Sequence, residues 1–204
     1  MAHKKRQSIA KLSRREGYAL HPKAHKIMLN RPNKPGQEKG ARDLKTSQYS
    51  NQLREKQKVK RIYGVQEKQF KKYFTVAAKK QGIAGANLLL DLEKRLDNVV
   101  FRAGFAGSRQ AARQLVTHGH FMLNDRRVDI PSISVSVGDV ITVRPKSTKN
   151  EYFKTVEDTV DTGEDASWLT SDIKKLKIDV KGVPTREEID AGINEQLITE
   201  FYSR

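Results

Sequence analysis

Apolar residues recur at spacings of three and four through Leu88, Leu89, Leu92, Leu96, Val99 and Val100. That spacing predicts one helix face running across residues 88–100. Gly104 and Gly107 interrupt the chain, and Ser108 is placed to accept a free backbone N–H at the start of a second helix. Ala111, Ala112, Leu115 and Val116 form the inner side of that helix, and Gly119 stands where a left-handed C-terminal residue is expected. Arg109 and Arg113, four apart, share a face turned away from Leu115. The period then changes to two. Phe121, Met122 and Leu123 predict a short strand, Asn124-Asp125 a turn tolerant of positive φ, and Val128 and Ile130 its continuation. Ile133, Val135 and Val137 alternate with Ser134 and Ser136, which predicts a strand with one buried side. Gly138-Asp139 marks a turn before a strand at Val140–Val143.

Upstream, residues 47–80 predict two helices parted near Gly64. Leu53, Val59, Ile62 and Tyr63 supply the inner side of the first, and Phe70, Tyr73, Phe74 and Ala77 that of the second. Arg54, Lys58 and Arg61 form a basic stripe on the first helix, which Lys68, Lys71 and Lys72 extend. Downstream, Tyr152, Phe153, Val156 and Val160 suggest a helix, and Leu176, Ile178 and Val180 a strand. Pro184-Thr185 with Glu188 is a capping-box pattern, and Ile193, Leu197, Ile198 and Phe201 make a closing amphipathic helix. Residues 1–46 are basic and rich in turn formers, and are expected to be extended and ordered by a partner.

Charge sharpens this picture. The net charge is +16 over 204 residues. Residues 1–80 hold 23 Lys and Arg against 5 Asp and Glu, residues 81–149 hold 10 against 6, and residues 150–204 hold 7 against 13. So basic a front half is expected to face a polyanion, and nucleic acid is the leading candidate. A membrane surface would want an apolar helix face, which residues 1–50 lack. The chain has no cysteine, which excludes disulfides and thiolate metal sites. Neither an apolar run of spanning length nor a signal-peptide core is seen, and no presequence is expected.

The central residues carry a resemblance. Arg95-Leu96-Asp97-Asn98-Val99-Val100-Phe101-Arg102, Ser108-Arg109, Ala112-Arg113-Gln114-Leu115-Val116, His118-Gly119-His120, Asn124, Ile130-Pro131-Ser132 and Gly138-Asp139 look like the S4 RNA-binding domain. Residues 52–65, Glu67-Lys68-Gln69-Phe70, Ile193-Asn194-Glu195 and Glu200-Phe201-Tyr202-Ser203 resemble the bacterial S4 family of small-subunit ribosomal proteins as a whole. The match covers nearly the full length. Some members carry a zinc-binding cysteine cluster near the N-terminus. This chain resembles the form without it, so that metal does not carry over.

The resemblance implies an α+β fold: a helical N-terminal lobe completed by the C-terminal segment, with an inserted S4-type RNA-binding module. The expected divisions are a basic RNA-associated segment at 1–46, the lobe at 47–91, the module at 92–146, and a segment at 147–204 packing back on the lobe. It also implies a non-enzymatic structural component of the small ribosomal subunit, without cofactor or metal. Such a protein would bind the 5′ domain of small-subunit (16S-type) ribosomal RNA at a multi-helix junction. It would nucleate assembly and support translational accuracy. Expected partners are that RNA, ribosomal protein S5 and other small-subunit proteins, and messenger RNA near its entry path, on cytoplasmic rather than organelle ribosomes, with no membrane. The RNA-binding residues expected are Lys4, Lys5, Arg6, Lys11, Arg14, Arg15, Arg42, Arg54, Lys58, Arg61, Lys68, Lys71, Lys72, Arg109, Arg113, His118 and His120. Gly40 and Ala41 accompany Arg42 in a basic loop.

Other chemistry is weaker. His21 and His25 are four apart but separated by Pro22, with no carboxylate cluster to complete a metal site. Arg95-Leu96-Asp97 is similar to the tripeptide that holds the catalytic aspartate of pseudouridine synthases. Those enzymes carry it in a separate, larger domain, whereas Asp97 here is expected to orient Arg95 or Arg102. The alternatives are an RNA-modifying enzyme or a free RNA-binding stress factor carrying the same module. The first lacks room for a catalytic domain in residues 150–204, and the second does not explain the terminal matches.

Overall fold

The structure, a computed structural model, describes residues 8–37, 46–156, 166–190 and 192–203. The chain divides into two compact units, Met1–Ile62 with Ile193–Arg204, and Tyr63–Gly192.

The first unit is helical. It contains α1 (Ile9–Glu16), α2 (Pro22–Asn30) and α3 (Gln48–Ile62). The last helix of the chain, α9 (Glu195–Tyr202), packs along α3, and α1 packs on both α2 and α3. Residues 1–7 and 38–45 lie outside the described residues; among the described residues 8–37, helices α1 and α2 stand where extended structure is expected. Their local signals outweigh the sparse apolar content. Gly17 ends α1 in the left-handed region at φ 65°, Pro22 opens α2, and His21 caps it by accepting the Lys23 N–H on Nδ1. The buried Ser13 hydroxyl donates to the Ile9 carbonyl and accepts from the Leu20 N–H, tying the turn to its helix.

The inner face of α3 is mostly polar: Gln52, Glu55 and Lys56 are buried beside Val59 and Ile62, while Leu53 is only half-buried. The polar groups are satisfied largely from the C-terminal segment. Gln52 Nε2 donates to Glu200 Oε2 at 2.8 Å, the Asn194 N–H donates to Glu55 Oε1 at 2.9 Å, and Lys56 Nζ lies 4.4 Å from the centre of the Phe201 ring. Ile193 and Ile198 are buried.

The second unit contains α4 (Glu67–Ala77), α5 (Ala84–Glu93), α6 (Leu96–Arg102), α7 (Arg109–Thr117), β1 (Phe121–Leu123), β2 (Arg126–Val128), β3 (Val140–Val143), α8 (Glu151–Lys154), β4 (Leu169–Asp172) and β5 (Lys177–Val180). All strand pairs are antiparallel, in the order β2-β1-β3-β5-β4. Asn124 and Asp125, at φ 48° and 63°, close the β1–β2 hairpin as a two-residue turn. Leu96, Val99, Phe105, Ala112, Val116, Phe121, Ile141, Trp168, Ile178 and Val180 form one core.

The single helix expected across residues 88–100 is interrupted. Arg95 leaves helical geometry, and the free N–H groups of Leu96 and Asp97 donate to the carbonyls of Ile133 and Pro131. Capping that break is what residues 131–135 do instead of forming the expected strand. They make one isolated bridge, Arg95 with Ser134; Val135 is buried and Val137 exposed. The expected domain boundaries shift as well. α4 and α5 belong with the central module, and β4–β5 complete its sheet, so only Ile193–Arg204 of the C-terminal segment joins the first unit. Helix α8 is a single turn, and Val160 lies outside the described residues. The Thr185–Glu188 box forms, with the Thr185 N–H donating to Glu188 Oε2 at 2.8 Å, but no helix follows. Glu188 instead uses Oε1 to hold the N–H and hydroxyl of Ser167.

Candidate nucleic-acid interface

The expected binding residues fall into three groups. Lys4, Lys5, Arg6, Gly40, Ala41 and Arg42 lie outside the described residues. Lys11 and Arg15 on α1 are exposed, as are Lys68, Lys71 and Lys72 on α4. The remainder are engaged to different degrees by the protein itself. Arg14 Nε donates to the Asn33 carbonyl at 2.8 Å. Arg54 and Arg61 both donate to Glu16 Oε1, and Lys58 pairs with Glu55 at 2.9 Å. The Glu16 side chain is fully buried; burial raises its pKa, and the charges of Arg61 and Arg54 offset only part of that rise. The basic stripe of α3 therefore closes the first unit as well as presenting charge.

Arg109 and Arg113 share a face of α7, and Ser108 caps this helix by accepting the Ala111 N–H. That face meets protein. Arg109 Nε donates to Asn98 Oδ1 at 2.8 Å, and its guanidinium lies 4.5 Å from the Phe101 ring centre and 5.3 Å from that of Tyr63. Arg113 donates to the Gly64 carbonyl at 3.1 Å and stands 3.7 Å from Asp97. Asp97 is bound to Arg95 by two hydrogen bonds, of 3.1 and 2.7 Å, and so orients Arg95 as one of its two expected partners. Arg102 is held by Glu93 instead.

The residues that face outward cluster at the C-terminal end of α7. His118 is exposed and His120 half-buried, with ring centres 5.9 Å apart. His120 Nδ1 lies 2.9 Å from Ser147 Oγ, and the His120 carbonyl accepts the Arg144 N–H. Burial, then His118 and Arg144, lower the His120 pKa, so the ring favours its neutral form. Between the histidines, Gly119 sits at φ 71°, and a Cβ there would lie 2.8 Å from Arg127 Nε. The positive φ is what favours glycine here, since the exposed Arg127 side chain could move aside. Arg127 lies over the end of α7. Arg126, Arg127 and Arg144 were not among the expected residues. The signal available for the first two was their place directly after the Asn124-Asp125 turn, on an edge strand with both side chains exposed. Among the described residues, Arg127 and Arg144 give the corner that holds His118 and His120 its positive charge, with no carboxylate paired to it.

Among the described residues no group of three His, Asp or Glu side chains is placed to hold a metal, and no helix is long and apolar enough to cross a membrane.

Comparison with known proteins bears on the whole chain. A family model described as "Ribosomal protein S4/S9 N-terminal domain" matches residues 4–93, and one described as "S4 domain" matches residues 94–141. The chain is 51% identical to "Small ribosomal subunit protein uS4" of Herpetosiphon aurantiacus, covering 96% of this chain and 97% of that protein. It is 50% identical to the protein of the same description from Chlorobium phaeovibrioides, covering 98% of each. A third, from Halothermothrix orenii, is 48% identical over 96% of this chain and 97% of its own length.

Proposed function

The chain belongs to the uS4 family of small ribosomal subunit proteins, and from that premise we propose how its surfaces are used. It is a structural, non-enzymatic component of the small subunit that binds ribosomal RNA. The finer reading is that it grips the 5′ domain of that RNA at a junction of several helices, and holds their backbones in one arrangement early in assembly. From there it supports translational accuracy, touches ribosomal protein S5, and lies near the messenger entry path of a cytoplasmic ribosome.

The observation that carries the RNA contacts is the set of cations left facing solvent. They include Lys11 and Arg15 in the first unit, and Lys68, Lys71, Lys72, Arg126 and Arg127 in the second, where the His118 ring is exposed as well. His120 and Arg144 stand beside them at the end of α7. Arg54, Lys58, Arg61, Arg109 and Arg113 contribute charge but are partly committed to the fold. A-form RNA hides its major-groove base edges, so cations on two units would read phosphate spacing rather than sequence.

Two outcomes test this. Affinity for small-subunit ribosomal RNA should fall steeply with salt, with a log–log slope corresponding to at least about six phosphates. Filter binding across a salt series reads the slope, and a nearly flat line would place the basic surfaces away from RNA. Second, Arg126→Ala with Arg127→Ala should weaken binding by about tenfold or more while leaving the melting curve in place, since each is exposed. Arg109→Ala should instead lower thermal stability, because it empties a stacked, hydrogen-bonded position. The reverse pattern would reassign the contact face to Arg109.

A further inference from the structure

The second unit carries a cavity that neither the basic corner nor the core explains. It has a volume of about 420 Å³ and is bordered by Gln69, Lys72, Tyr73, Val76 and Lys80 of the α4 region, Asp91 and Arg95, and Ser132 and Ser134. A second hollow of about 230 Å³ shares Lys80, Asp91 and Ser134 with it, so the two adjoin.

The walls are built rather than incidental. The back wall is the segment that caps α6. Leu96 and Asp97 donate to Ile133 and Pro131, Val135 donates to Lys94, and Arg95 bridges Ser134. The floor is the Arg95 guanidinium, in a residue only 2% exposed, fixed by both oxygens of Asp97 and donating to the Tyr73 hydroxyl at 2.9 Å. A guanidinium carries five N–H groups, and among the described residues those bonds use three. Tyr73 and Val76 make one side apolar, and Val76 is 53% exposed. Ser132 and Ser134 add exposed hydroxyls. Charge at the rim is positive: Lys72 is exposed, and Asp91 is neutralised by Lys80 at 2.5 Å.

A flat apolar face, a few hydroxyl and N–H groups and a cationic rim are what a single unpaired nucleotide requires. Its base lies against the aromatic face, its edge meets the polar groups, and its phosphate meets the lysine. The size suits one nucleotide, and the cationic rim favours an anionic occupant over a cationic one. We propose that this cavity takes one unstacked nucleotide of the bound RNA, with Tyr73 as its stacking surface, Lys72 at its phosphate, and Arg95, Ser132 and Ser134 at its base edge. The assignment rests on the RNA-binding reading and adds a base-recognising pocket to a surface otherwise suited to backbones.

The test uses the full chain bound to unmodified small-subunit ribosomal RNA. The complex is irradiated with short-wavelength ultraviolet light and digested, and nucleotide adducts are mapped by mass spectrometry. Adducts are expected on Tyr73 or Lys72, or on Ser132–Ser134. Ser132→Trp, at an exposed position, should block the mouth, reduce those adducts at least about tenfold and weaken affinity by about five- to tenfold, the loss of one stacked base. Its fold is checked by the salt-dependent binding that remains. Bound RNA with adducts only elsewhere overturns the pocket and leaves RNA binding standing. Pocket adducts that Ser132→Trp does not diminish place the nucleotide on the rim and likewise overturn it. A chain that retains no RNA overturns the underlying reading as well.

Discussion

Replacing Glu93 with alanine should cost about 3–5 kcal/mol of stability, the usual penalty for removing one partner of a buried ion pair. The Glu93 side chain is 1% exposed and accepts four hydrogen bonds from side chains. Oε1 takes the Tyr63 hydroxyl at 2.5 Å and Arg102 Nη2 at 3.0 Å, while Oε2 takes Asn98 Nδ2 at 2.6 Å and Arg102 Nε at 3.1 Å. Glu93→Gln preserves the volume but turns an NH₂ group toward two of those donors, so it should lose a large part of the same stability. Burial pushes the Glu93 carboxyl up, but the hydrogen bonds and charge of Arg102, then Arg109 and Tyr63, prevail and hold it below its ordinary 4.5. For a carboxyl depressed in the folded state, the added stability is present above the unfolded value and lost as pH falls through the folded one. The gap in urea midpoint between the parent and Glu93→Gln should therefore be full near neutrality and shrink at acid pH. A gap independent of pH would show that packing, not charge, is what glutamine disrupts.

Removing residues 193–204 should unfold the first unit and spare the second. The deletion takes away the buried Ile193 and Ile198, the Glu200 partner of Gln52, the Phe201 ring over Lys56 and the Asn194 N–H that satisfies Glu55. Ile198→Ala alone, at a fully buried site, should cost about 2–5 kcal/mol. Without α9, the buried Gln52, Glu55 and Lys56 of α3 each lose a contact together, although Glu55 keeps Lys58. Amide exchange is the measurement: protection should vanish across residues 48–62 and persist across residues 96–143. Retained protection in α3 would show that α1 suffices to hold it, and loss in both units would show that they do not fold separately.

The same features explain how far the residues could be read in advance. Ser108, Gly119 and Asn124-Asp125 act locally, through a cap, a left-handed residue and a two-residue turn, and each stands where its chemistry indicates. The misreadings arise where a distant partner overrides a local pattern. Alternation at Ile133–Val137 signals a strand, but the Ile133 carbonyl and the Val135 N–H, with the Pro131 carbonyl before them, are taken by the break between α5 and α6. The stripe Arg54–Lys58–Arg61 is a different case: it signals a ligand face, and what the pattern does not reveal is that Glu16, 38 and 45 residues away, also binds two of its members. The polar inner face of α3 had no signature, because its partners arrive from 139 and 148 residues downstream. Arg127 was missed for a related reason: only the hairpin brings it over Gly119.

The division of the chain has a consequence for its synthesis. The second unit is one uninterrupted stretch, Tyr63–Gly192, and all of it leaves a translating ribosome before α9 does. The first unit begins earlier but cannot be completed until that later helix emerges. Nascent chains would thus carry a finished module while α3 still lacks α9, with its buried polar face uncovered. Emergence order is the reverse of completion order, and the segment most exposed to chaperones and proteases in that interval is the one translated first.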